Sequence, residues 1–156
     1  MKTIILYATK NGAAAEIAKR IAGQIDGAVT HDLKQEPVPP LADFDCVIVG
    51  TSIYAGTVRK EAKEFLTINS GALCEKKLGL FISGMSKENE EGVLSTCFPE
   101  DVLKAATASN VLGGIFDPKK SGFFARMIMK VVTKQSGYVD NIDDDKITQF
   151  VDKIKS

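Results

Sequence analysis

Residues 6–20 read LYATKNGAAAEIAKR, and this stretch joins an apolar strand to an amphipathic helix through a short polar turn. The strand is predicted at Thr3–Ala8, where nearly every side chain is apolar. Behind the turn, Ile17, Ala18 and Ile21 recur at helical spacing. The first turn of a helix has unpaired N–H groups, and its dipole favours an anion there. The junction therefore predicts a phosphate-binding turn.

Length and composition narrow the class of protein. The chain has 156 residues, so residues 1–156 are predicted to form one domain. Twenty basic residues balance twenty acidic ones, which argues against a nucleic-acid partner. The three cysteines, Cys46, Cys74 and Cys97, show no metal spacing, and no apolar run is long enough to span a membrane. We expect a cytoplasmic protein without a metal site.

Strand-like and helix-like segments alternate along the chain. The predicted strands are Thr3–Ala8, Val29–Leu33, Cys46–Gly50, Leu78–Ser83 and Val111–Phe116. Helices are predicted behind the first strand, around Val58–Leu66, from Pro99, at Gly122–Lys134 and at Asp143–Lys155. This alternation predicts an α/β fold with a doubly wound, five-stranded parallel sheet and helices on both faces. Its ligand site is expected at the carboxyl ends of the strands.

Several α/β classes lack their defining residues here. Gly12 is not followed by the lysine of a Walker loop, and the first loop has no G-x-G-x-x-G motif. The first and third strands are followed by Thr9 and Thr51 rather than by the carboxylates of a phospho-receiver. No G-x-S-x-G elbow is present, and His31 is the only histidine. No catalytic side chain is predicted.

Two loops carry a family resemblance. The T-K-N-G-A-A turn at residues 9–14 is combined with LADFDCVIVGTSIYAG at residues 41–56. In these residues the chain resembles the flavodoxin-like FMN-binding proteins, which implies FMN as cofactor and the sheet order 2-1-3-4-5. The stretch FFARMIMK at residues 123–130, followed by Gly137 and Asp140, is similar to one branch of that superfamily. That branch contains the quinone-dependent protoporphyrinogen oxidase.

The resemblance assigns three groups of residues to FMN. The first would surround the phosphate, the second would pass beside the ring, and the third would offer backbone groups to its pyrimidine edge. The groups are Thr9, Lys10, Asn11, Gly12, Ala13 and Ala14; Thr51, Ser52, Ile53, Tyr54, Ala55 and Gly56; and Ser83, Gly84 and Met85. The family usually has threonine where this chain has Ala14, so one hydroxyl contact to the phosphate is missing.

Plainer structural explanations exist for the same residues. The first loop is also compatible with a surface turn before an alanine-rich helix. Tyr54 is the candidate stacking side chain over the flavin, and it is equally the kind of residue that covers the end of a sheet. The predicted helix Gly122–Lys134 has a narrow cationic stripe on an otherwise apolar surface. It suits either contact with membrane lipid or a quinone, or packing on the sheet.

The resemblance implies an FMN-binding oxidoreductase that transfers electrons through the flavin, in the manner of protoporphyrinogen oxidase. Its partner would be a quinone acceptor or a redox protein. One alternative is a flavodoxin-type electron carrier without a substrate of its own, although the neutral charge argues against an acidic docking rim. A second alternative is an interaction module that keeps the fold and binds no flavin.

Overall fold

An open, mainly parallel β-sheet lies at the centre of the structure, a computed structural model that describes residues 1–54, 57–84, 89–116 and 139–156. The strands are β1 (Thr3–Ala8), β2 (Val29–Asp32), β3 (Cys46–Tyr54), β4 (Thr57–Val58), β5 (Lys77–Ser83), β6 (Ala108–Val111), β7 (Ile115–Phe116) and β8 (Val139–Asp140). The helices are α1 (Ala13–Ala22), α2 (Lys60–Cys74), α3 (Glu90–Cys97), α4 (Glu100–Ala105) and α5 (Asp144–Lys155). The predicted helix Gly122–Lys134 lies outside the described residues.

The five parallel strands lie in the order β2-β1-β3-β5-β6. Taken in chain order, this is the predicted arrangement 2-1-3-4-5. The short β4 pairs antiparallel with the end of β3, and β7 pairs antiparallel with β8 in a separate ribbon. The winding reverses between β1 and β3, which are in register from Thr3 opposite Cys46 to Ala8 opposite Thr51. A crevice at the carboxyl ends of these two strands is therefore expected.

Apolar side chains cover both faces of the sheet, as the alternation along β1 requires. Ile4 and Leu6 belong to a cluster shared with α2, α3 and α4. Ile5, between them, belongs to a second cluster shared with α1 and α5. The apolar stripe predicted for α1 is confirmed: Ile17 and Ile21 are fully buried. The prediction of helices on both faces is also confirmed.

Two predicted strands differ from the observed ones. The third strand does not end at Gly50 but continues to Tyr54. Its next two residues pair with the end of β5, and its last two pair with β4, which folds back onto them. The predicted fifth strand, Val111–Phe116, is wrong. The strand that pairs with β5 is Ala108–Val111, and Gly113, at φ 87°, turns the chain out of the sheet two residues later.

Two of the described helices begin at a residue whose side chain caps them. The start of α5 is confirmed at Asp143, whose Oδ1 accepts a hydrogen bond of 3.0 Å from the Lys146 N–H. The sequence prediction has no helix at α3. This helix begins after Asn89, whose side-chain oxygen accepts from the Gly92 N–H at 3.2 Å. The signal for it was an asparagine N-cap followed by two glutamates.

Two charged side chains, Glu90 and Lys146, lie against the end of β6, which is one of the two edge strands of the sheet. Glu90 Oε1 accepts from the Val111 N–H at 2.8 Å and from the Asn110 amide at 3.0 Å. Lys146 Nζ donates to the Val111 carbonyl at 3.0 Å and lies 2.9 Å from Glu90 Oε2. The backbone groups of Val111 that face away from β5 are thereby paired. This arrangement joins α3, β6 and α5.

The pKa of Glu90 is sensitive to this arrangement. Burial alone would raise it, but the hydrogen bonds from Lys146, from the Val111 N–H and from Asn110 hold the pKa of this carboxyl below its ordinary value. A carboxyl with a depressed folded pKa contributes stability above its unfolded pKa and loses it as the pH falls through the folded pKa. Glu90 therefore stabilises the fold at neutral pH.

We expect Glu90→Gln to lower the free energy of unfolding by about 1–2 kcal/mol at pH 7, because a charge-assisted hydrogen bond is lost. The difference from wild type should shrink below about pH 4.5, the ordinary pKa of the carboxyl. Urea denaturation between pH 3 and pH 7 measures this difference in the free energy of unfolding. Glu91→Gln, at an exposed neighbouring position, is the control. A difference that stays constant with pH would contradict this assignment.

Candidate functional site

The carboxyl ends of β1, β3 and β5 and the segment after β6 surround a small cleft of about 80 Å³. Its lining residues are Lys10, Asn11, Ala13, Ser52, Ile53, Ser83, Gly84, Gly114 and Ile115. A water molecule takes up about 30 Å³ in the liquid, so the cleft is sized for a small polar group. A larger ligand would extend out of it. The cleft lies at the switch point between β1 and β3, as the fold requires.

The turn between β1 and α1 has the geometry of an anion-binding loop. Gly12 adopts φ 92°, a conformation that glycine reaches without strain. Its N–H donates to Thr9 Oγ1 at 2.8 Å, which closes the turn. No side chain caps the start of α1. The N–H groups of the first helical turn therefore have no side-chain cap and lie at the positive end of the helix dipole, and Ala13, the first residue of the helix, lines the cleft.

A hydrogen bond ties the first loop to the second. The Lys10 N–H donates to Ser52 Oγ at 3.2 Å, and the Ser52 side chain is nearly buried. This bond links segments that are 42 residues apart in the chain. Ser52 thus fixes the position of the anion-binding turn against β3.

Thr51 lies on β3 with its side chain in the interior. It is fully buried and is not among the residues that line the cleft. Its Oγ1 donates to the Ser52 carbonyl at 3.2 Å and accepts from the Arg59 N–H at 3.2 Å. Its hydroxyl therefore holds the β3–β4 hairpin against the start of α2.

The third side of the cleft forms at the end of β5. Ser83 is 3% exposed, and the Gly84 N–H donates to the Gly113 carbonyl at 3.0 Å. This bond brings the segment after β6 to the cleft, where Gly114 and Ile115 line it. Sequence reasoning missed both residues because it placed them inside a strand. The Gly-Gly pair was the available signal, since it ends a strand.

The structure brings together most, but not all, of the expected ligand residues that it describes. Lys10, Asn11, Ala13, Ser52, Ile53, Ser83 and Gly84 line the cleft, with Thr9 and Gly12 in the turn beside it. Ala14 is fully buried among the apolar residues of α1 and β1. Tyr54 ends β3, and its side chain is not described. Ala55, Gly56 and Met85 lie outside the described residues.

The charge of the cleft suits an anion. Lys10 is the one ionisable side chain in the described lining, and no carboxylate is present there. The described ranges contain no cluster of side chains that could hold a metal ion. Helix dipole, backbone donors and an ammonium group together favour a phosphate group over a cation.

Sheet order and cleft together define a class: doubly wound α/β proteins that bind a ligand where the winding of the strands reverses. Within that class, residues 4–143 match the family model described as a flavodoxin domain. The chain belongs to the flavodoxin domain family. Among curated proteins, no sequence matches this chain.

Solved structures share the fold at low sequence identity. A short-chain flavodoxin associated with a non-canonical PDU bacterial microcompartment has a TM-score of 0.63 at 15% identity, covering 99% of this chain and 97% of its own. A flavodoxin from Streptococcus pneumoniae has a TM-score of 0.60 at 16% identity, covering 99% and 98%. Rubredoxin oxygen:oxidoreductase from Desulfovibrio gigas has a TM-score of 0.61 at 15% identity, covering 98% of this chain and 35% of its own. At such identities, the likeness establishes the fold.

Cys46, Cys74 and Cys97 are all free thiols. Within the described ranges, no helix is long and apolar enough to cross a bilayer.

Proposed function

We propose that the protein binds FMN at the cleft and works as an electron-transferring flavoprotein. The observation that carries this proposal is the uncapped start of α1 behind a left-handed glycine, at the switch point of the sheet. When bound, FMN supplies one- and two-electron transfer chemistry. The protein's part is to bind and orient the cofactor and to set its electrostatic environment.

The first loop would hold the phosphate. Backbone N–H groups from Ala13 onward would donate to its oxygens, and Lys10 would supply charge. The Thr9 hydroxyl already accepts from Gly12, and its own hydrogen can be donated to an oxygen of the ligand. Ser52 holds this loop in place through the Lys10 backbone. Family resemblance adds Asn11 and Ala14 to the proposed phosphate contacts.

The remaining lining would face the flavin ring. Ile53 and Ile115 supply apolar surface, and Ser83 and Gly84 lie at the end of β5, where backbone groups are available. The contacts proposed for Tyr54, Ala55, Gly56 and Met85 rest on family resemblance, as does that proposed for Thr51. For Thr51, its buried side chain supports a backbone role rather than a side-chain contact.

A thermal-shift comparison of FMN with riboflavin tests the proposal. A ligand that binds only the folded state at 100 times its Kd adds about 2.7 kcal/mol of stability. For a chain of this length, that raises Tm by roughly 5–10 °C. Riboflavin, which lacks the phosphate, should give a much smaller shift. No shift with FMN would leave the alternative of a flavin-free interaction module.

A finer hypothesis is oxidation of protoporphyrinogen with a quinone as electron acceptor. Its support is the sequence resemblance at residues 41–56 and 123–130. The FMN-loaded protein should oxidise protoporphyrinogen when menadione is supplied. Absence of turnover in a protein that is yellow and folded would favour an electron carrier that works with a redox partner protein.

A cytoplasmic location and a peripheral membrane contact are also proposals. Free cysteines support a cytoplasmic protein. A peripheral membrane contact through Gly122–Lys134 rests on the cationic stripe in the sequence. Binding to anionic vesicles, with and without those cations, would test it.

A further inference from the structure

One wall of the cleft is attached to the segment that precedes α5. Gly114 and Ile115 form this wall. The Asn141 N–H donates to the Gly114 carbonyl at 2.8 Å, and Ile115 pairs with Asp140 in the antiparallel β7–β8 ribbon. The position of the wall therefore follows the position of residues 140 and 141.

An arginine of α1 binds the same segment. Arg20 Nη2 donates to Asp140 Oδ2 at 2.9 Å, and Arg20 Nη1 donates to the two carboxylate oxygens of Asp144 at 3.2 and 3.3 Å. On its own helix, Arg20 Nε donates to Glu16 Oε1 at 3.1 Å. The guanidinium group thus joins α1 to the end of β8 and to the first turn of α5.

The contact between Arg20 and Asp140 is an ion pair at neutral pH. Burial alone would raise the pKa of the Asp140 carboxyl, but the hydrogen bonds from the Ile142 N–H and from Arg20 hold this pKa below its ordinary value. The Ile142 N–H donates to Asp140 Oδ1 at 3.0 Å, which leaves Oδ2 for the arginine. Charge-assisted hydrogen bonds are directional, whereas apolar packing is not, so this contact fixes how α1 sits against the segment.

Arg20 itself lies away from the cleft. It follows Ala13, which begins α1 and lines the cleft, by seven residues, or about 10 Å along the helix axis. Arg20 is not among the lining residues. Its effect on a ligand would act through the start of α1 at one end of the cleft and through the wall of Gly114 and Ile115 at the other.

We infer that Arg20 is a positioning residue that sets the separation between the anion-binding turn and the wall of Gly114 and Ile115. The inference deepens the proposed function and rests on it, because these two parts of the cleft would hold the phosphate and the ring of FMN. A ligand with both groups gains from a preset separation, whereas a ligand with only one of them does not.

Each part of the cleft is also held by a bond of its own. The Lys10 N–H donates to Ser52 Oγ in the turn, and the Gly84 N–H donates to the Gly113 carbonyl next to the wall. Neither bond involves Arg20. Loss of the arginine therefore leaves both parts formed and changes only how they are placed relative to each other.

Arg20→Gln is expected to weaken FMN binding about tenfold, because the two ends of the ligand no longer meet sites at a matching distance. Riboflavin, which lacks the phosphate, and inorganic phosphate, which lacks the ring, should each bind the variant within about twofold of wild type. Flavin fluorescence titration gives the first two affinities, and a thermal shift gives the third. A merely structural role would weaken all three ligands alike.

Two further variants separate position from charge. Lys19→Gln removes the same charge from the same turn of α1 at an exposed side chain, and should leave FMN affinity unchanged. Asp140→Asn removes a negative charge, so electrostatics alone would strengthen the binding of a phosphate ligand. As the partner of Arg20, it should instead weaken FMN binding about fivefold and spare riboflavin. Combined with Arg20→Gln, it should add little to the loss.

Three results would overturn the inference: equal losses of FMN and riboflavin affinity in Arg20→Gln, equal effects of Arg20→Gln and Lys19→Gln, or tighter FMN binding by Asp140→Asn. In each of them the wild-type protein still binds FMN, so the proposed function stands. Wild-type protein that binds no FMN would overturn the proposed function and this inference with it.

Discussion

Asn11→Asp is expected to weaken FMN binding at least about a hundredfold while leaving the fold intact. Asn11 lines the cleft one residue before the left-handed Gly12. The substitution preserves the shape of the side chain and places a negative charge beside the proposed phosphate. Two unit charges 4 Å apart near a protein surface repel by about 4 kcal/mol, and partial screening leaves about 3 kcal/mol. Fluorescence titration with FMN gives the affinity.

The control variants separate the effect of the added negative charge on FMN affinity from the effect of losing the amide contact. Asn11→Ala removes the amide without adding charge and should cost only about fivefold to tenfold in affinity. Asn89→Asp makes the same isosteric change at the start of α3, outside the cleft, and should leave FMN binding unchanged. A carboxylate near a helix N-terminus is stabilising, so Tm should not fall in Asn11→Asp. Equal affinities of Asn11→Asp and Asn11→Ala would show that no anion binds there.

Gly50→Ala is expected to destabilise the protein by more than about 3 kcal/mol. Gly50 lies on the central strand opposite Phe81 of β5, whose ring packs over the glycine. An added Cβ would occupy the position of that ring. Phe81 is fully buried and makes an edge-on contact with Phe150, with ring centroids 6.5 Å apart, so it has little room to move. Urea denaturation measures the loss.

The same substitution elsewhere should have the opposite sign. Gly71 lies on α2, and apart from its chain neighbours and the nearby backbone of its own helix no atom lies within 4 Å of the position that its Cβ would take. Gly71→Ala should therefore stabilise the protein by about 0.5–1 kcal/mol through helix propensity. In addition, Phe81→Leu combined with Gly50→Ala should cost less than the sum of the single changes. Additive costs would show that the ring is not the obstacle.

Sequence pattern was sufficient for the parallel sheet and its two apolar faces. Uninterrupted apolar runs such as Thr3–Ala8 indicate buried strands without reference to distant residues. The stripe Ile17, Ala18 and Ile21 likewise encodes the buried side of α1. Both signals are local, since each element must bury its own apolar residues whatever its neighbours are.

The missed features depend on distant pairing. Nothing local to Ser52 shows that β3 continues, because its extension depends on pairing first with Ser83 of β5 and then with β4, which folds back onto it. Placement of Gly114 at the cleft depends on the bond between Gly84 and Gly113, which are 29 residues apart. Family resemblance, rather than local pattern, placed Ser52 and Ser83 in one site. The structure then showed that the Thr51 side chain is committed to the hairpin instead.

The side chains of Glu90 and Lys146 also have a consequence for association between molecules. An exposed sheet edge offers unpaired N–H and C=O groups on which the strand of another chain can grow. At Val111 both outward groups are already taken, so an incoming strand would first have to break a charged pair. At acidic pH, where Glu90 is protonated, the charged pair is lost. The backbone groups of Val111 at the edge of β6 then become easier for a strand of another molecule to pair with.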